Sequence, residues 1–383
     1  MTEIVDSLPI AERANKDEFR HMPQLDSLRA LAVFSVFIEH YIKIDDPVRA
    51  ALPWGTLGVR LFFVLSGFLI TGILYRCRAQ IDRGEGSLAG ILRAFFTRRF
   101  LRLMPVYYLY LASAVFLLPS VRPHLWAFAL YLQNFLFAAK PEVFSVLLAH
   151  FWTLAVEEQF YLTWPLIVLL VPRKRLPYVM AGIVVLGPLL RAVGLLGGLT
   201  PHQIRMMMPA HFDTLGLGGL FAVLAAGSPA EMLWAKRLAS AGLWLGLPLS
   251  VVAFVAARLH FATVEILMDE GATGLFFLWV VAGAAVGGGG VAGSVLNSRG
   301  LQFIGKISYG IYVYHFNVPG LVRERLAPRL GLTLSNHPWV NLLLFGSVAI
   351  LIAAASWQFF EQPINRLKRR FDYRSVGRTI PAA

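Results

Sequence analysis

Residues 151–171 read FWTLAVEEQFYLTWPLIVLLV, an apolar run with two adjacent carboxylates, Glu157 and Glu158, at its centre. The run has the length of a membrane helix, which needs about 20 mostly apolar residues. Backbone groups in hydrocarbon must be satisfied within the segment, so such a run folds as a helix. A carboxylate in that setting is expensive and faces a bundle interior or a watery cavity rather than lipid. Glu157 and Tyr161 are four positions apart and share one helix face. This one stretch therefore predicts a polytopic helical bundle with a polar interior.

The rest of the chain agrees. Of 383 residues, 57% are hydrophobic and 15% are charged, whereas a soluble domain carries about 25% charged residues. The expected class is all-α, a transmembrane bundle with lipid as its main solvent. Apolar spans lie at 28–44, 56–76, 101–118, 149–171, 176–198, 206–226, 238–258, 271–293, 302–322 and 339–360. The formal net charge is +13. Its Lys and Arg cluster between apolar spans, so it reads as the positive-inside pattern and not as a nucleic-acid surface. With 123–138 kept out of the membrane as an interfacial or re-entrant segment, the basic connections fall on one side. Arg323, Arg325 and Arg329 are the exceptions. The result is about ten crossings with both termini cytoplasmic, in an inner membrane. The expected divisions are a cytosolic tail over 1–24, a membrane domain over 25–363 and a basic tail over 364–383. No cleavable signal peptide is evident. The single cysteine, Cys77, reads as filler. The nine histidines show no metal-ligand spacing, so neither a metal nor a permanently bound cofactor is expected. Glycines 216, 218 and 219, and 287–290, read as notches for close helix approach.

Several constellations carry chemistry. Arg29 and His40 are 11 positions apart, which puts them about 20° apart around a helix and about 16 Å apart along it. Arg29 reads equally as an anchor; His40 lies too deep for snorkelling. Glu39 points away from that face. Ser66-Gly67 sits at the centre of the 56–76 span and reads as a packing notch, while Arg60 reads as an anchor. Arg99 and Arg102, spaced i,i+3, share a face in the basic loop. Arginine grips phosphate bidentately, but positive-inside charge or lipid headgroups account for the pair as well. Glu157 is either a structural carboxylate or the partner that orients His40 as a general base. Ser308, Tyr312 and His315 share one face and either line a cavity or bind helices together.

In their order along the chain, LDSLRALAVFSVFIEH (25–40), GVRLFFVLSGFLIT (58–71), RRFLRLMPVYY (98–108), FWTLAVEEQFYLTWP (151–165) and ISYGIYVYH (307–315), with FFEQP (359–363), resemble the membrane-bound acyltransferase 3 family of O-antigen and exopolysaccharide O-acetylases. The resemblance implies an O-acyltransferase that moves an acyl group, by default acetyl, from cytosolic acyl-CoA to a hydroxyl of a carbohydrate or glycolipid acceptor. It implies that His40, Arg29 and Glu157 serve the reaction. It further implies that Arg99 and Arg102 form the family's Arg-x-x-Arg element, expected here to bind the donor; Ser66, Tyr161, Tyr312 and His315 are the further residues expected at the substrate. Glu39 departs from the apolar residue common there. Some members add an esterase domain of the SGNH type. None is seen here, so a handover would use a separate extracytoplasmic partner. Two other classes account for the residues without the resemblance: a transporter or flippase for glycans or lipids, and a scaffold held by buried charge. The absence of an internal repeat weighs against the first.

Overall fold

Ser87 ends the hydrophilic connection after residue 82 by accepting the Gly90 N–H at 3.1 Å, and a 30-residue helix, Leu88–Leu117, starts there. Its first turns are rich in Ala, Leu and Arg, which are strong helix formers. The basic stretch expected as a loop is thus mostly helix, and Arg98, Arg99 and Arg102 ride on it. Only residues 83–87 connect it to the preceding helix. The computed structural model describes residues 21–143, 148–287 and 289–373. Most of both expected tails, 1–20 and 374–383, lies outside the described residues.

The described residues are helical and contain no strand. The principal helices are α1 (Pro23–Tyr41), α2 (Trp54–Asp82), α3 (Leu88–Leu117), α4 (Phe151–Leu170), α5 (Leu176–Leu196), α6 (Phe212–Ala225), α7 (Pro229–Ala241), α8 (Leu247–Arg258), α9 (Ala262–Ala285), α10 (Arg299–Lys306), α11 (Ser308–Tyr314) and α12 (Pro338–Ser356). Helices α7 and α8 form one rod through a π-helical turn at Gly242–Gly246. Among the described residues, seven helical stretches are long and apolar enough to cross a membrane: Trp54–Asp82, Leu88–Leu117, Arg173–Leu196, Met208–Ala225, Pro229–Arg258, Ala262–Ala285 and Pro338–Arg370. The chain is a multi-pass membrane protein. Helices α1 and α4 fall outside those seven because they carry the charges that mark the site. The expected span 302–322 is a broken path of α10, α11 and a 3-10 turn at His315–Asn317. Residues 123–138 form two short helices, Leu125–Ala129 and Gln133–Ala139. They are joined through Tyr131 at φ 55°, and neither is long enough to span.

Helix α2 is central, packed against α1, α4, α6 and α9. A Cβ on Gly67 would lie 2.0 Å from the Leu215 carbonyl oxygen of α6, and one on Gly218 would lie 2.2 Å from the Val64 carbonyl oxygen of α2. The two backbones therefore touch through reciprocal glycines. Gly305 similarly lets α10 lie against Asp26 of α1, where a Cβ would come within 1.7 Å of the Asp26 carbonyl oxygen. The second glycine cluster is different. Gly287 (φ 102°) and Gly290 (φ 61°) have nothing within 4 Å of the position a Cβ would take, so they shape the turn after α9 and pack no helix. Positive φ is the conformation that glycine adopts without steric cost.

Buried charges link the same helices. Arg60, expected as an anchor, is 2% exposed. It bonds to Asp269 at 2.6 Å and Glu270 at 3.2 Å on α9. Arg191 of α5 holds Asp213 of α6 at 2.6 and 3.0 Å, and Thr214 donates to Glu270 at 2.9 Å. The C-terminal segment does not leave the bundle at 364: Arg98 donates to the carbonyls of Lys368 (3.0 Å) and Phe371 (3.2 Å). Replacing Gly218 with Val is expected to force α2 and α6 apart and cost about 3 kcal/mol. Gly72→Ala, in open space, is expected to be neutral or stabilising by up to about 1 kcal/mol. Thermal unfolding in nanodiscs measures both.

Candidate functional site

The polar residues of α1, α2, α3, α4 and α11 meet around one cavity of about 610 Å³, its open mouth included. Seven of the nine residues expected at the site line it: Arg29, Ser66, Arg99, Arg102, Glu157, Tyr161 and Tyr312. Ser308, Tyr309 and Thr153 also contribute, and Phe62, Phe63 and Leu154 make the walls partly apolar. His40 and His315 are not among the lining residues.

Ser66 is held in the cavity by its neighbour Gly67, which seats α2 on α6. Its hydroxyl donates to Glu157 Oε1 at 2.9 Å and lies 3.2 Å from the Tyr161 hydroxyl. The i,i+4 spacing of Glu157 and Tyr161 brings both onto the same serine. Ser66 is thus more than a packing notch. Arg99 stacks over the Tyr161 ring at 4.6 Å. Arg29 pairs with Asp26 at 2.8 Å. Arg102 has no hydrogen bond or ion pair among the described residues, although it is half-buried. Three guanidiniums therefore face one cavity with Glu157 as the carboxylate beside them. A cationic recess of this kind favours an anionic ligand.

The expected pairing of Glu157 with His40 is not formed. Glu157 spends its carboxylate on Ser66, and the side-chain partner of His40 is His315, with His315 Nε2 3.2 Å from His40 Nδ1, alongside a backbone contact with Val36 one turn back. Glu39, the family oddity, bonds to Arg49 and accepts the Gly55 N–H at 3.0 Å. It caps the start of α2 and ties α1 to the connection that follows. His40 itself is exposed at the last turn of α1.

His150 was missed from the sequence, although it immediately precedes the FWTL run. Its ring lies 5.0 Å from that of His315 and stacks on Phe316 at 4.9 Å, and Phe316 also meets His40 edge-on at 4.8 Å. Among the described residues no three His, Cys, Asp or Glu side chains are placed to hold a metal ion. Tyr312 separates this histidine cluster from the cavity. Its hydroxyl is 2.6 Å from that of Thr153 and 3.2 Å from the His150 carbonyl, and its ring centroid is 5.4 Å from that of His315. The arrangement is a cationic cavity at one end, a tyrosine partition, and imidazoles beyond it.

Comparison with known proteins gives the same direction. A family described as an acyltransferase domain matches residues 22–358. A putative peptidoglycan O-acetyltransferase YrhL of Bacillus subtilis is 29% identical over 94% of this chain and 57% of its own length. The peptidoglycan O-acetyltransferase OatA of Listeria monocytogenes is 27% identical over 93% of this chain and 57% of its own length. A putative O-acetyltransferase of Staphylococcus aureus is 28% identical over 91% of this chain and 58% of its own length. The chain thus spans somewhat over half the length of these relatives. No solved structure matches. With the family's extent covering the cavity, the histidine cluster and nearly every principal helix, the chain belongs to the membrane acyltransferase 3 family.

Proposed function

We propose that this chain is an integral-membrane O-acyltransferase that takes an acyl group, acetyl by default, from cytosolic acyl-CoA and transfers it to a hydroxyl of a sugar-containing acceptor of the cell envelope. The observation that carries the donor assignment is the cavity in which Arg29, Arg99 and Arg102 converge with one of them unpartnered. The phosphates of CoA sit at Arg99 and Arg102, where the helix α3 presents both on one face. The pantetheine arm then runs along the Arg29–His40 face, which rises about 16 Å. The relatives named as peptidoglycan O-acetyltransferases support a carbohydrate acceptor. In this reading the protein lies in the cytoplasmic membrane with ten crossings and both termini inside. The arginine end of the cavity then faces the cytoplasm and His40 faces outward.

His40 acts as general base, removing the acceptor proton as the hydroxyl attacks the thioester carbonyl, and CoA leaves as its thiol. The apolar part of the cavity wall, Phe62, Phe63 and Leu154, limits hydrolysis of the thioester by water. Tyr312 moves aside from Thr153 to let the thioester reach the imidazole. Ser66 holds Glu157 in place beside the arginines, where its charge offsets part of theirs when the donor is absent.

The first test is thermal stabilisation in nanodiscs by acetyl-CoA, with ATP as polyanion control. A ligand at 100 times its Kd stabilises by about 2.7 kcal/mol. Stabilisation by acetyl-CoA beyond that by ATP, lost in Arg99→Ala/Arg102→Ala, is expected. Equal stabilisation by ATP would leave only a basic surface and bring the transporter reading forward. A second test is turnover: His40→Ala is expected to lower transfer by about 10²–10⁴-fold while leaving stabilisation by acetyl-CoA intact. Full turnover in that variant would remove His40 from the reaction.

A further inference from the structure

Helix α11 ends at Tyr314, and the 3-10 turn His315–Asn317 directs the His315 ring back into the bundle, where the residue is 0% exposed. The Tyr41 hydroxyl donates to the His315 carbonyl at 2.8 Å, so α1 itself fixes the turn. His315 Nδ1 lies 2.7 Å from the Tyr312 carbonyl oxygen. A carbonyl only accepts, so Nδ1 carries the proton. A fully buried imidazole without a carboxylate partner is neutral, which leaves Nε2 as a bare acceptor. The group 3.2 Å from that acceptor is His40 Nδ1. It must therefore be the donor, and the proton of neutral His40 resides on Nδ1.

We infer that His315 is the positioning residue that sets the tautomer of His40, holding its Nδ1–H so that the Nε2 lone pair is free for the acceptor hydroxyl. This inference rests on the proposed role of His40 as base. It assigns to a second histidine, backed by a main-chain carbonyl, the task that a carboxylate performs in a catalytic triad. The second imidazole carries no charge, so His40 is oriented without a buried anion next to the membrane. Phe316 completes the setting by packing on His40 edge-on, which limits ring rotation. His150 donates Nε2–H to the Val313 carbonyl at 3.3 Å and does not compete for the His315 acceptor. Arg49, the cation near His40, is taken up by Glu39.

The decisive measurement is spectroscopic and needs neither donor nor acceptor. In protein labelled with ¹⁵N-histidine, the His40 resonances are assigned by their loss in His40→Ala. The expected pattern is a protonated Nδ1 and a bare Nε2, the reverse of the form that free histidine favours. A bare Nδ1 in the wild type overturns the inference. His315→Gln places an amide oxygen where Nε2 stood and is expected to keep that pattern and most of the turnover. His315→Leu removes the acceptor. It is expected to mix the two forms and lower kcat about tenfold or more, with the KM for acetyl-CoA within twofold because the arginine cavity is untouched. Should His315→Leu fail to fold, the wild-type and Gln spectra still decide. If His40→Ala keeps its turnover, the proposed role of His40 as base fails, and this inference with it. If His40→Ala is inactive but His315→Leu keeps both the pattern and kcat, this inference alone fails.

Discussion

Helix α2 can carry Ser66 into the cavity because its neighbour Gly67 has no side chain to hold α6 away. The Leu215 carbonyl occupies the space a Cβ would need, and Gly218 does the same for the Val64 carbonyl. In lipid no hydrophobic gain separates one apolar helix contact from another, so close backbone approach through small residues decides which helices meet. Once α2 is seated, the site has little freedom. Ser66 meets both Glu157 and Tyr161 of α4, and Tyr161 in turn supports Arg99 of α3. Four helices are registered by one glycine contact and three polar ones.

The buried ions on the other side of α2 serve the same register. Arg60 is nearly inaccessible and meets two carboxylates of α9. Removing one partner of such a group leaves an uncompensated charge, which is strongly destabilising, while the intact pair adds little net stability. Its contribution is therefore to specify which turn of α9 faces which turn of α2. Arg191 and Asp213 do this for α5 and α6. The cavity is left with the opposite condition, since its arginines outnumber their acidic partners. Within one bundle, neutralised cations hold the helices together and an unneutralised one is free to meet a ligand.

The sequence made the helical class and most of the cavity legible because both rest on local rules. Apolar length names the spans, and i,i+3 or i,i+4 spacing puts Arg99 with Arg102 and Glu157 with Tyr161 on shared faces. What it did not reveal depends on pairs far apart in the chain. Arg60 looked like an anchor because its partners, Asp269 and Glu270, lie on a helix far along the chain. The sequence alone allows Glu157 to partner His40, because helix spacing says nothing of which helix faces are in contact. His150 carried no signal of its own, since a single histidine at the start of an apolar helix is common. Helix ends were the other loss: α3 begins at Leu88, well before the expected span at 101, because arginine is a good helix former and a basic stretch need not be a loop.

The hydroxyl contact between Tyr312 and Thr153 has a consequence for the cell rather than for the reaction. A protein that opens a polar route through a membrane threatens the voltage and proton gradient on which the cell runs. A slow enzyme that leaked ions between turnovers would dissipate more energy than its chemistry required. With Tyr312 drawn onto Thr153 and the His150 carbonyl, the cavity meets on its histidine side an aromatic ring whose polar atom is already occupied. The same side chain thus lines the cavity and touches the histidines behind it.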